Sequence, residues 1–140
     1  TNEEFGNANI DKVDTTQILK TFEDYPCIVV PGFQGVTEGS NNFTTLGRGG
    51  SDLTAVVYGY YLKADVVEFY KNVPGVMSAD PSTNSEVELI SHMTYDELQL
   101  KINEPVEVIQ KRAANFAALH GVPLHIRSLY EETNGTFVHL

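Results

Sequence analysis

Between Gly32 and Gly50 six of nineteen residues are glycine, and most of the others are polar. Glycine loses more backbone freedom on ordering than any other residue, so a stretch this rich in it is too poor in regular-structure formers to be anything but loop. The loop is bounded on both sides. Before it, Cys27-Ile28-Val29-Val30 is a short β-branched run stopped by Pro31-Gly32, the pattern of a buried strand ending in a loop, with Cys27 packed inside. After it, Leu53-Thr54-Ala55-Val56-Val57-Tyr58 opens a helix that runs to about Leu62, with Ser51 or Asp52 placed to cap it.

The same alternation continues along the chain. Thr15 to Phe22 carries Ile18, Leu19 and Phe22 at weak helical spacing. Asp65 to Tyr70 reads as a strand broken by Pro74-Gly75, followed by a second loop that ends at Asp80-Pro81. Thr94-Tyr95-Asp96-Glu97 is a capping-box pattern and starts a helix to about Ile102. Val106 to His120 places Val108, Ile109, Ala113, Phe116 and Ala117 at helical spacing, with Gly121 as the C-terminal stop. Pro123 to Arg127 and Thr136 to Val138 read as closing strands. Strands alternating with helices predict an α/β domain with a mostly parallel sheet covered on both faces, and ligands at the C-terminal ends of its strands.

Charge and composition narrow the function classes. The chain has 140 residues, enough for one domain, with 19 acidic against 9 basic side chains and a formal charge of −10. That sign argues against a nucleic-acid backbone or an anionic membrane surface as partner. No apolar stretch approaches the length of a bilayer span, and the lone Cys27 can form no internal disulfide, which fits a cytoplasmic setting. His92, His120, His125 and His139 lack metal-ligand spacing, and Glu86, Glu88, Asp96 and Glu97 read as a solvated acidic face. Tyr58, Tyr60 and Tyr61 lie on one helix, packed on the sheet or touching another subunit, and Lys111-Arg112 either approaches a nucleotide or lies on a helix surface.

The stretch Thr44-Thr45-Leu46-Gly47-Arg48-Gly49-Gly50-Ser51-Asp52 has the parts of an anion cradle. Its glycines let backbone N–H groups come close, the helix start adds a positive end, and Arg48 supplies a planar fork for a carboxylate or phosphate. A solvated turn before a helix is the plainer alternative. Asp52 beside such a cradle would repel an anion unless it orients a lysine or a magnesium ion, a combination suited to phosphoryl transfer.

These nine residues resemble the signature loop of aspartate kinases, within the amino acid kinase family. Val30-Pro31-Gly32-Phe33-Gln34-Gly35-Val36-Thr37 resembles their substrate-side loop, and Val73-Pro74-Gly75-Val76-Met77-Ser78-Ala79-Asp80-Pro81 their nucleotide loop. Met93 to Leu98, Val122 to Ser128 and Asn134 to Val138 are similar to later segments of the same domain. The resemblance implies the carbamate kinase-like fold, a three-layer sandwich, of which this chain would be the C-terminal lobe. It implies transfer of the γ-phosphoryl group of ATP, with Mg2+, to the side-chain carboxylate of L-aspartate. Arg48 would bind a substrate carboxylate, with Phe33, Thr45, Gly47, Gly49, Gly50 and Ser51 beside it. Asp52 would organise the catalytic centre, and Lys71, Asn72, Val73, Gly75, Met77, Asp80 and Pro81 would line the nucleotide pocket.

There are departures from the family pattern. Lys71-Asn72 stands where relatives commonly have Thr-Asp, Ser82 replaces a basic residue after Asp80-Pro81, and Pro105-Val106-Glu107 replaces a Gly-Ala-Lys step, reversing a charge near the phosphates. The Lys-Phe/Tyr-Gly-Gly motif that opens such kinases is absent from this sequence. The expectation is therefore one part of a kinase, acting with an N-terminal segment or as a homo-oligomer. The alternative is a degenerate lobe that binds aspartate or a partner subunit without catalysis.

Overall fold

The computed structural model describes residues 1–79, 82, 84, 86–102 and 108–140. In chain order its elements are α1 (Thr16–Phe22), β1 (Gln34–Val36), β2 (Phe43–Thr45), α2 (Gly50–Tyr61), β3 (Val67–Lys71), β4 (His92–Thr94), α3 (Tyr95–Lys101), α4 (Lys111–His120), β5 (Leu124–Ser128) and β6 (Thr136–His139). The main sheet has the order β3-β5-β6-β4, with β3 parallel to β5, β4 parallel to β6, and β5 antiparallel to β6. Two of its three pairings are thus parallel, as the strand–helix alternation predicts.

The core follows from the period-two alternation of the strands. Val67 and Phe69 of β3, Leu124 and Ile126 of β5, Val138 of β6 and Met93 of β4 are buried on one face. They pack against Leu53, Val56 and Val57 of α2, Leu98 of α3, and Ala113, Ala114 and Ala117 of α4. The small side chains of α4 let it approach α2 closely. The opposite face carries one cross-strand row, Glu68, His125, Phe137 and His92. His125 stacks on Phe137 with centroids 3.7 Å apart and places Nδ1 3.2 Å from Glu68. The Tyr70 hydroxyl and then Arg127 hold the Glu68 carboxyl below the usual carboxylate range.

Local signals with a side-chain mechanism appear where the sequence places them. Thr94 accepts from the Glu97 N–H while the Glu97 carboxylate accepts from the Thr94 N–H, a complete capping box for α3. Those Thr94 bonds also lower the Glu97 pKa. Gly121 ends α4 in the left-handed conformation with φ 64°.

Other expectations are corrected. Cys27–Val30 is not a strand: no described strand lies beside it to complete a ladder, Cys27 is exposed, and Val29 is 93% exposed. The glycine-rich stretch is not wholly loop, because β1 and β2 form an antiparallel hairpin inside it. Its turn is closed by side chains, with the buried Thr37 hydroxyl hydrogen-bonded to Ser40 and to the Asn42 N–H. The strand β4 has no counterpart in the sequence reading. Neither Ser51 nor Asp52 caps α2; Gly49 holds that position with φ 75°, and both residues lie in the first turn. The helix read over 106–120 begins at Lys111, with Val108 and Ile109 before it, and Pro105, Val106 and Glu107 lie outside the described residues.

The loop after β3 is ordered by one hydroxyl. Thr136, fully buried, accepts from the Val76 N–H at 2.8 Å and donates to the Ile90 carbonyl at 2.6 Å. That fastens Val76 to Ser78 beside Glu88 to Ile90, which are also joined through backbone bonds.

Three substitutions test these contacts. Thr136→Val keeps the shape but strands the buried Val76 N–H and the half-buried Ile90 carbonyl, and is expected to lower the unfolding free energy in urea by about 1–3 kcal/mol. An alanine at Gly121, whose Cβ would meet open space, should cost roughly 1–2 kcal/mol for the left-handed backbone alone. At Gly49 the added Cβ would also overlap the Gln110 side chain, so Gly49→Ala should be the more destabilising of the two in the same titration.

Candidate functional site

At the C-terminal end of β3, Lys71 extends its ammonium to Asp52 in the first turn of α2, with Nζ 2.9 Å from Oδ1. The other carboxylate oxygen accepts from the Gln110 N–H at 3.1 Å, at the N-cap of α4. One side chain thus ties together a strand end and two helix N-termini. Both charges keep some solvent contact, 16% for the Asp52 side chain and 28% for Lys71. The Lys71 ammonium also lies 5.4 Å from the Phe69 ring centroid, in range of a cation–π contact. The sequence reading asked Asp52 to orient a lysine or a magnesium ion; in the folded chain it orients Lys71.

The cradle residues come together beside this pair. Gly47 and Gly49 have φ 74° and 75°, a region that favours glycine. A Cβ on Gly47 would lie 2.6 Å from the Asn7 side-chain oxygen, and one on Gly50 would lie 2.7 Å from the Leu46 Cβ. These glycines are therefore required by close packing within the chain, whether or not an anion binds. The Gly50 N–H is turned back to the Gly47 carbonyl at 3.0 Å, while Ser51 and Asp52 have backbone N–H groups with no acceptor among the described residues. Arg48 is exposed, with no ion-pair partner among the described residues. Ser51 is exposed and Thr45 half-buried.

Phe33 is held in an unusual backbone state. Its φ is 74°, uncommon for a bulky residue. The conformation persists because its N–H donates to the Thr54 hydroxyl at 3.0 Å and its carbonyl accepts from Leu46 at 2.9 Å. Its ring stands over Gly50, where a Cβ would come within 2.9 Å of it. Backbone strain of this kind accumulates at ligand sites.

The residues read as a nucleotide loop divide into three groups. Lys71 joins Asp52, with exposed Asn72 following it. Val73, Gly75 and Met77 are half-buried or buried in the segment fastened by Thr136, and a Cβ on Gly75 would lie 2.7 Å from the Thr136 hydroxyl. Asp80 and Pro81 lie outside the described residues. Among the described residues no group of three or more His, Cys, Asp or Glu side chains is arranged to hold a metal ion.

One residue singled out in the sequence has partners that its position could not reveal. Arg112, at the second position of α4, is half-buried, and its guanidinium is committed to protein oxygens. It donates to the Leu46 carbonyl, to the Ala8 carbonyl at 3.0 Å and to the Asn9 side chain at 3.2 Å. Helical spacing placed it on α4, but nothing in the sequence showed that residues 7–9 fold back to meet it. Its neighbour Lys111 is exposed and lines a groove of about 430 Å³ between α3 and α4 with Asp96, Gln99 and Asn115. Tyr60 of α2 meets Phe116 of α4 edge-on and packs tilted against His120 of the same helix.

Comparison with known proteins gives this geometry a family. The aspartokinase of Geobacillus stearothermophilus is 42% identical over 138 residues, covering 99% of this chain and 34% of that protein. The structure of E. coli aspartokinase III in complex with aspartate and ADP superposes with a TM-score of 0.87 at 28% identity, over 99% of this chain and 32% of that one. UMP kinase from Bacillus anthracis shares the fold, with a TM-score of 0.56 at 20% identity over 64% of this chain and 40% of that one. The chain thus spans about a third of the length of the curated relatives it matches. The model of the amino acid kinase family matches residues 1–128, and the chain belongs to that family.

Proposed function

We propose that this chain carries the L-aspartate and nucleotide sites of an aspartate kinase, transferring the γ-phosphoryl group of ATP to the side-chain carboxylate of L-aspartate. The observation that carries the reading is the Asp52–Lys71 pair, set at the end of a parallel strand where two helix N-termini converge. The relatives support it, since the E. coli enzyme that superposes over nearly the whole chain is one described with aspartate and ADP.

In this reading Arg48 takes a carboxylate of aspartate through its guanidinium fork, beside the uncommitted N–H groups of Ser51 and Asp52. Phe33, Thr45 and the Gly47 to Gly50 backbone wall the substrate. Lys71, held by Asp52, presents its remaining N–H donors to the phosphates, and residues 72–81 flank the nucleoside. A carboxylate oxygen of aspartate attacks the γ-phosphorus, the bond to the β–γ bridging oxygen breaks, and ADP leaves with that electron pair. The product is an acyl phosphate. Two anions must be brought into contact, so the protein's contribution is positioning and charge neutralisation. Mg2+ is the usual companion of such phosphates, but both Asp52 oxygens are engaged and the described residues offer it no ligand cluster. It would be carried mainly by phosphate oxygens and water.

Exposure favours a second reading for the chain taken alone. Val29 at 93% and Phe43 at 78% leave apolar surface uncovered beside the substrate loop, as suits a non-catalytic lobe that binds a partner subunit. Calorimetric titration separates the two. Binding of L-aspartate that weakens at least tenfold in Arg48→Ala, with Mg-ATP binding that weakens in Lys71→Met, is the expected result. Aspartate binding without Mg-ATP binding would leave the non-catalytic lobe, and binding of neither at millimolar concentration would remove the kinase reading for this chain.

A further inference from the structure

We propose that Arg112 is a positioning residue for the substrate loop, acting through the Leu46 carbonyl. This goes beyond the family relationship and rests on the aspartate reading only for its ligand measurement. Three observations lead to it. The Arg112 guanidinium is half-buried, and its oxygen partners are the Leu46 and Ala8 carbonyls and the Asn9 and Asn7 side-chain amides. Among the described residues it has no carboxylate partner, so its fork is committed to holding neutral backbone and amide oxygens in place. Leu46 directly precedes Gly47-Arg48, its side chain is 1% exposed, and its N–H is held by the Phe33 carbonyl at 2.9 Å. Arg112 completes the fixing of that residue.

The segment Arg112 gathers is the one that supports the loop from behind. The Ala8 N–H donates to the Thr45 carbonyl at 2.9 Å, and Asn7 occupies the space where a Cβ on Gly47 would fall. The first turn of α4 therefore grips the loop at two points. Gln110 packs on Gly49 and donates to Asp52, and Arg112 holds Leu46 and residues 7–9. Between those points lies Arg48, whose own side chain has no partner among the described residues. Its direction is set by the backbone on either side of it. The guanidinium's planar fork reaches Leu46 and Ala8 together, which the single ammonium of lysine cannot reproduce.

The test compares the wild-type chain with Arg112→Gln, Arg112→Lys and Asn9→Ala by amide hydrogen exchange and by L-aspartate titration. Arg112→Gln and Arg112→Lys should both speed exchange at Ala8 and Leu46 while leaving Leu98 in α3 protected. Both should weaken aspartate binding by roughly tenfold or more through misplacement of Arg48. Asn9→Ala, which removes one arm of the clamp, should raise exchange at Ala8 to a smaller degree, and remains informative if an Arg112 variant fails to fold. Unchanged exchange in the folded variants overturns the clamp. Faster exchange with unchanged aspartate affinity overturns the positioning role, as does full rescue by lysine, which would make the residue's charge the relevant property. Should the wild type bind no aspartate, the substrate reading fails, and the exchange data decide the clamp by themselves.

Discussion

The arrangement of this chain depends on where one carboxylate is placed. Asp52 receives the Lys71 ammonium from the end of β3 and the Gln110 N–H from the start of α4, while belonging itself to the first turn of α2. An unpaired carboxylate would be favourable at either helix N-terminus through the dipole alone. Here the same charge also fixes a lysine from the sheet, so α2, α4 and β3 cannot slide relative to one another without uncovering it. The apolar contacts of Leu53, Val56 and Val57 with Ala113, Ala114 and Ala117 supply the adhesion between these layers. Apolar contact is tolerant of small shifts, and the ionic and hydrogen-bonded junction is directional. The register of the site therefore comes from Asp52, and the stability of its frame from the core beneath it.

Much of this was legible because some signals are complete within a few residues. Thr94 and Glu97 form their capping box without reference to the rest of the molecule, and Gly121 ends α4 because only its missing Cβ makes φ 64° inexpensive. Strands β3, β5 and β6 announced themselves through β-branched and alternating residues. What escaped depends on partners distant in sequence. Ile28, Val29 and Val30 have strand-forming side chains, yet a strand exists only when another one pairs with it. The hairpin β1–β2 was hidden by glycines, which discourage regular structure in general and are accommodated here by the hydroxyl of Thr37 and by close packing.

The candidate site shows the same division. The nine residues from Thr44 to Asp52 drew attention through their composition, and the folded chain does bring them together with Phe33 and Lys71. Their glycines turned out to serve a second purpose that composition cannot reveal. Gly47 packs on Asn7 and Gly49 on Gln110, so the loop is shaped by the protein behind it as well as by any ligand before it. Arg112 was beyond reach for a related reason. Its partners, residues 7–9 and Leu46, are more than sixty positions away, and none of them carries a charge that would have suggested a pairing.

The proposed anion site sits in a chain with ten excess negative charges, and screening explains how the two are compatible. At physiological ionic strength the Debye length is about 8 Å, so acidic side chains scattered over the surface act only weakly on a ligand held at the loop. What the ligand senses is local: Arg48, the Lys71 ammonium, and the converging N-termini of α2 and α4. Two of the three arginines in the sequence lie at this loop, one exposed to solvent and one committed to the carbonyls behind it. Arg48 without Arg112 would be a mobile charge on a glycine-rich segment, and much of its binding free energy would be lost in ordering it. Positioned from behind, the same guanidinium would meet the proposed carboxylate already placed, and Asp52 would not repel it, because its own charge is spent on Lys71 and the Gln110 N–H.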